Sequence, residues 1–272
     1  MEANVFRRNV PSPGATSLAD LWSFRELLRS LVVRNLKVKY QRSLLGFLWT
    51  LLNPLLTASV LIAVFSIILR FPLNNYWAFL ISGYFVWMFV SQMLAAGTTI
   101  LDEHAALRRS IAFPAELLIL GGAIARFFEF SVAFGVAVVA IAVFHHGEFP
   151  AHFSVLPVLM ILQFLLAVGL KMLIAVLAVF YHDVRHMISI VLLMLFYLTP
   201  VFYPLSFVPD NLQWVYVFNP FASLLGLFQA VLYEGRMPEL DLFLKTTAWS
   251  VGFMIVGYAI FNRYKSLFAE IV

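Results

Sequence analysis

Six apolar runs, most of them long enough to cross a lipid bilayer, divide this 272-residue chain and leave it few folds to choose from. They lie at about 44–69, 76–100, 116–144, 155–180, 187–203 and 246–262. A helix rising about 1.5 Å per residue needs roughly 20 apolar residues to cross a hydrocarbon core about 30 Å thick. Inside that core every peptide group must be hydrogen-bonded within the protein, so runs of this length become helices. The fifth run is short, and apolar sequence continues past it.

Composition agrees with a membrane protein. Only 12% of the residues are charged, and the mean hydropathy is +0.93. Soluble domains carry about 25% charged residues, so too few remain here to coat a water-facing surface. The formal charge of +4 is gathered at one end of the chain, unlike the basic stripe of a nucleic-acid binder. The absence of cysteine removes disulfides, thiolate chemistry and Cys-based metal sites. The first 43 residues are polar and basic, without the apolar core and small-residue cleavage site of a signal peptide, so the first run is expected to be retained.

Lys and Arg in the loops set the expected orientation. Eight stand in segment 1–43, and Arg108, Arg109, Arg185, Arg263 and Lys265 follow in alternate loops and the tail. The opposite loops hold Arg70, Arg236 and Lys245. Both termini are therefore expected in the cytoplasm. The chain then divides into a cytoplasmic segment 1–43, a membrane domain 44–262 and a tail 263–272. Between spans five and six, Asn219-Pro220 cuts an apolar stretch into halves too short to cross. Two half-helices that dip into the outer leaflet and return are expected there, covered by protein or lining a pathway. Phe24, Leu27, Leu28, Leu31 and Val32 share one helical face, and Ser17 with Asp20 suits a helix start, which predicts an amphipathic helix along the cytoplasmic interface.

Several groups are candidates for function. Arg126 and Glu129 in the third span and Lys171 in the fourth are ionisable groups at membrane depth. Counted from the cytoplasmic helix ends they lie about 15, 20 and 14 Å deep, which predicts a Lys171–Glu129 bridge with Arg126 sharing the carboxylate. The alternatives are Lys171 reaching instead to the inner headgroups, or a substrate or proton role for these groups. His145, His146, Glu148 and His152 crowd an outer loop, in a pattern expected of solvated side chains rather than metal ligands. Asp102 and Glu103 followed by Arg108 and Arg109 suit the dipole of a short inner helix that docks on a partner. Pro54, Pro200 and Pro204 sit in or at the ends of apolar spans, as simple kinks or as breaks that line a pathway, and Asn53 adds a polar group beside Pro54. Phe47, Trp49, Phe196, Tyr197, Phe202 and Tyr203 offer rings for stacking on sugars or for interfacial belts.

No phosphate-binding G-x-x-x-x-G-K-[ST] loop occurs, so active transport needs a motor on another polypeptide or an ion gradient. An ion-coupled carrier would show internal repeats and paired acids at the midplane, which are not seen. An intramembrane transferase would need a convergent acid–base set. His182, Asp183 and His186 come nearest, in a tight inner turn.

RNLKVKYQRSLLGFLWTLLNPLL (34–56), LRRSIAFPAELL (107–118), FYHDVRH (180–186) with the span ending LTPVFYPLSFVP, and NPFASLLGLFQAVLY (219–233) resemble, in order, the ABC-2-type transporter permeases of the polysaccharide and polyol-phosphate exporter family. The resemblance covers most of the chain. It is closer to O-antigen and teichoic-acid exporters than to capsule exporters, which carry an acidic residue where Asn53 stands. It implies an all-α integral membrane protein with six transmembrane helices, an interface helix and re-entrant outer half-helices. It implies a homodimer in the bacterial inner membrane with two ABC ATPase subunits that bind ATP and Mg, this chain holding no cofactor and catalysing nothing itself. The cargo would be a glycan or polyol phosphate on undecaprenyl diphosphate, with a teichoic-acid or capsule exporter as the alternative to O-antigen. Asp102, Glu103, His104, Leu107, Arg108 and Arg109 would form the coupling helix. Trp214, Tyr216, Phe218, Asn219 and Pro220 would belong to the outer gate. Phe47, Trp49, Asn53, Phe196, Tyr197, Phe202 and Tyr203 would line the channel. Arg34, Lys37, Lys39 and Arg42, at headgroup level, are candidates for gathering the diphosphate by charge.

Overall fold

A computed structural model describes residues 22–41, 43–100 and 114–265. The regular elements among the described residues are all helices. Helix α1 (Arg25–Tyr40) is the expected amphipathic helix. Leu31 is buried, and Phe24, Leu27 and Leu28 pack beside it on the core. The polar face carries Arg29, Arg34 and Lys37 outward. The start signal at Ser17 and Asp20 lies outside the described residues, as do Arg42, the 101–113 loop and the end of the tail.

The first span begins with a 3-10 turn, Gly46–Leu48, continues as α2 (Trp49–Ile62) and ends in a π-helical stretch, Ala63–Ile68. Helix α3 (Tyr76–Gly97) follows and is the most deeply buried span. Helix α4 (Glu116–Ile141) runs on into the π-helical Ala142–His146. Helix α5 (Leu156–Phe180) is preceded by the 3-10 segment Ala151–Val155. Helix α6 (Val184–Leu198) has 15 residues, or about 22 Å at 1.5 Å each, which is short for a full crossing. It starts and stops earlier than the run at 187–203 suggested. Pro200 forces Thr199 into an extended conformation (φ −107°, ψ 140°), and the helix ends there.

The stretch after α6 takes the expected broken form. Helices α7 (Asp210–Val217) and α8 (Pro220–Leu232) meet at a bend of 99°. Helix α8 starts beside Trp87, where the Phe221 ring lies 5.7 Å away, and leaves beside Asn74, whose carbonyl accepts from Tyr233 Oη at 2.8 Å. Trp87 lies about 16 Å along α3 from Tyr76, so the element goes halfway in and returns. Eleven of the thirteen residues of α8 are buried, so its backbone is sheltered by protein. Helix α9 (Leu240–Tyr264) closes the chain, starting six residues before the run at 246–262.

Two ends of the bundle emerge from these contacts. At one, Lys265 Nζ lies 2.6 Å from Glu116 Oε1, the Phe180 and Tyr264 rings are 5.4 Å apart, and Leu31 of α1 seats on Gly121. At the other, Tyr76 Oη donates to the Phe202 carbonyl at 2.8 Å, and His145 meets Asn75. Counting α6 as a pass, the chain runs between these ends six times, and α1 and Lys265 share one of them.

The tightest packing joins α5 and α9. A Cβ on Gly169 would lie 2.4 Å from the Phe253 backbone, and one on Gly257 would lie 2.2 Å from the Gly169 carbonyl. Only glycine permits that approach. In lipid, such close backbone contact supplies the van der Waals attraction that water cannot drive.

Candidate functional site

The buried carboxylate of Glu129 organises the end that carries α1. Lys39 Nζ lies 2.7 Å from its Oε2, and Tyr40 Oη donates to its Oε1 at 2.5 Å. Thr50 Oγ1 closes the group on Tyr40. Since the Tyr40 proton points to Glu129, the threonine hydroxyl is the donor in that contact. Burial, reinforced by the hydrogen bond to Glu129, pushes the Tyr40 phenol up to about 12. It therefore stays a donor at neutral pH. Thus the last turn of α1 is tied to the first span and to α4 at one point.

This corrects the expected Lys171–Glu129 bridge. Lys171 is fully buried, but its Nζ donates to the Ile119 carbonyl at 3.4 Å and lies beside Gly122. Gly122 is seven residues before Glu129, or about 10 Å along α4. Similar counts from two helix ends did not give a shared height, because α5 is displaced along α4 and sets Lys171 beside Gly122. Snorkelling would carry the amine to the headgroups, whereas here it ends inside the protein. Arg126 does not share the carboxylate either. It makes no hydrogen bond or ion pair among the described residues, although its charge acts on Tyr40.

Two cavities share part of their walls here. One, of about 290 Å³, lies between α1, α2, α3 and α4 and has Trp49, Thr50, Asn53, Gln92, Arg126 and Glu129 in its wall. The other, of about 390 Å³, has Arg34, Lys39, Arg126 and Lys171. They share Lys39, Arg126 and Glu129. Of the basic residues singled out in the sequence, Lys39 is committed to Glu129, whereas Arg34 and Lys37 stand exposed along an outer groove of α1. Tyr40, Thr50 and Gln92 were not singled out. The only signal for Tyr40 was a tyrosine at the end of an amphipathic helix.

The aromatic candidates fall into two groups, one at each end of the spans. Phe47 packs edge-on against Tyr40 at 5.5 Å, and Trp49 and Asn53 stand exposed beside it. At the far end, Phe202 lies 5.5 Å from Phe196, 5.7 Å from Tyr197 and 5.0 Å from Tyr203. Phe65 of the first span joins this group at 5.2 Å from Phe202, and Phe71 and Tyr76 extend it. The sequence reading missed these three rings, because they lie on three separate segments and only the fold brings them together. Tyr203 Oη donates to the Tyr197 carbonyl at 2.9 Å and lies 2.9 Å from Tyr216 Oη.

The outer half-helices explain their own sequence. Asn219 Oδ1 accepts from the backbone N–H groups of Phe221 and Ala222, and Pro220 takes the first helical position. Asn219 Nδ2 reaches Thr199 Oγ1 at 3.1 Å, which ties this cap to the end of α6. Trp214 and Phe218 are exposed, and Tyr216 is half-buried. The histidines are not simply solvated. His145 Nε2 lies 3.0 Å from the Tyr233 carbonyl, and His146 Nε2 lies 2.9 Å from that of Leu232. Both satisfy carbonyls that the end of α8 leaves open. Asn75 Nδ2 can only donate to His145 Nδ1, so Nε2 carries the hydrogen in His145. The proposed docking residues Asp102, Glu103, His104, Leu107, Arg108 and Arg109, with Arg42, lie outside the described residues.

Comparison with known proteins agrees with this architecture. The ABC-2 type transporter family model matches residues 26–233, from α1 through the re-entrant helices. The O-antigen export system permease protein RfbA of Myxococcus xanthus is 30% identical over 254 residues, covering 92% of this chain and 97% of that protein. Two proteins of the same name from Klebsiella pneumoniae are 28% and 27% identical, each over 91% of this chain and 95% of their own length. The chain belongs to the ABC-2 type transporter family.

Proposed function

We propose that this chain is the permease subunit of an ABC transporter that exports O-antigen, carried on undecaprenyl diphosphate, across the bacterial cytoplasmic membrane. The observation that carries this reading is the similarity, over nine-tenths of the chain, to permeases named for O-antigen export. Two copies of the chain work with two separate ATPase subunits, which bind and hydrolyse ATP. The end bearing α1 faces the cytoplasm, in keeping with its basic loops. The loop holding Asp102, Glu103, His104, Leu107, Arg108 and Arg109 docks on the ATPase.

The geometry supports a division of labour. The first span and α6 are the least covered spans, with Leu56, Val60, Ile190, Met194 and Tyr197 all exposed. Paired across two copies, these faces enclose the path of the glycan, with Phe47, Trp49 and Asn53 near the entrance. The aromatic group around Phe202 and the half-helices α7 and α8 stand at the exit. Exposed Arg34 and Lys37 attract the diphosphate by charge. A proteoliposome assay tests the whole reading: the chain with its ATPase should move a lipid-linked glycan only when ATP is hydrolysed. ATP-independent movement, or none with the matched glycan, would overturn it. Neutralising Arg34 and Lys37 together should slow uptake of the lipid-linked glycan, with the loss greatest at low salt. An unchanged rate would remove them from the path.

A further inference from the structure

Arg126 is the unusual feature of the α1 end. It lies ten residues into α4, about 15 Å from the helix start. A guanidinium cannot shed its charge, and at membrane depth it needs an anionic or strongly polar partner. Among the described residues it has none within hydrogen-bond reach. Glu129 stands one turn away, yet both its oxygens are taken by Lys39 and Tyr40. The amides of Gln92 and Asn53 line the same space, and their side chains likewise make no hydrogen bond among the described residues.

The two cavities flanking Arg126 differ in character. Among the described residues, the wall of the 390 Å³ one carries Arg34 and Arg126 beside the Lys39–Glu129 pair. The 290 Å³ one continues along an apolar wall of Phe85, Phe89, Phe130 and Ala133. An anionic head next to an apolar slot is the outline of a lipid, not of a soluble ion.

We propose that these adjoining cavities hold a membrane lipid, its phosphate headgroup at the wall they share with Arg126 as its principal ligand, and Gln92 and Asn53 donating to it from the polar end of the 290 Å³ cavity. The guanidinium fork grips two phosphate oxygens. The lipid's chain lies along Phe85 and Phe89. Basic pockets between membrane helices commonly take such headgroups. The site lies within one copy of the chain, beneath α1; it shares Asn53 and Arg34 with the proposed entrance, yet does not depend on the export reading, since a resident phospholipid would fill it whatever the cargo.

The test is made on the full chain purified from native membranes with its ATPase, stripped of loosely held lipid and then extracted for mass spectrometry. Wild type should retain a phosphate-bearing lipid. Arg126→Gln should retain roughly tenfold less, and Arg126→Lys should recover part of it. On wild type alone, farnesyl diphosphate should displace the bound lipid, while farnesol and inorganic pyrophosphate should each be far weaker. That arm needs no variant to fold. Recovery of phosphatidylglycerol or of a polyprenyl diphosphate supports the site equally, and the second would also make it a station for the cargo. Undiminished lipid in Arg126→Gln, displacement by farnesol as strong as by its diphosphate, or pyrophosphate alone binding as tightly would each overturn the proposal.

Discussion

Burying a carboxylate at membrane depth is unfavourable unless its charge is met, and Glu129 is met twice. Its side chain is 6% exposed while that of Lys39 is 45% exposed, so the bridge joins a buried acid to a half-solvated base. Such a pair is worth less than a fully buried one, but losing Lys39 leaves the acid with only the Tyr40 hydroxyl. A double-mutant cycle on Lys39→Met and Glu129→Gln should return a coupling of about 1–3 kcal/mol in chemical unfolding of the detergent-solubilised protein. The same cycle on Lys171→Met and Glu129→Gln should return clearly less, and equal couplings would contradict the geometry. Tyr40 adds a pH signature. Its folded pKa is raised from 10.0 to about 12, so the folded state holds that proton more tightly. The resulting stabilisation is complete below pH 10 and fades as pH rises through 12. Tyr40→Phe should therefore lose less stability than wild type between pH 10 and pH 12, as read from unfolding midpoints.

At the scale of elements, the bundle is pinned where α5 crosses α9 and where α8 ends. With the Gly257 Cα side facing the Gly169 carbonyl, even one added methyl would collide with backbone rather than with a movable side chain. Gly257→Ala should thus cost about 1–3 kcal/mol or more and lower the thermal midpoint of the purified protein, whereas Gly252→Ala, which meets nothing within 4 Å, should not. His145→Ala and His146→Ala should each speed hydrogen exchange at the C-terminal turn of α8 while leaving the Asn219-capped start protected. Some of this was legible in the sequence. Apolar run length gave the spans, and Asn219-Pro220 gave the broken hairpin, because a cap and a fixed φ act locally. The Lys39–Glu129 bridge was not legible, since counting along one helix says nothing about how its neighbour slides. Gly169 and Gly257 carry no mark among apolar residues until the crossing point is known. The histidines looked like loop residues because their partners are carbonyls 86 and 88 positions away.

On the scale of the whole molecule, the distribution of exposure needs an explanation that lipid alone does not supply. Helix α3 is buried nearly all round, as the centre of a bundle should be, but α6 leaves only Leu192 buried. A short helix touching its own chain along so little of its surface has weak support against tilting or sliding. Within the family reading, a second copy provides that support and places α6 and the first span beside the path. Outward residues on α4 and α5, such as Val139 and Ile161, are equally exposed, yet they sit on helices well anchored by their inner faces and should meet lipid. The chain contains no cysteine, so single cysteines report without background. Met194→Cys or Ile190→Cys, oxidised in membranes without detergent, should give disulfide-linked dimers. Val139→Cys and Ile161→Cys should stay monomeric at the same expression level, because lipid keeps those faces apart. Cross-linking confined to the α4 and α5 positions would place the path elsewhere and make α6 a lipid-facing helix.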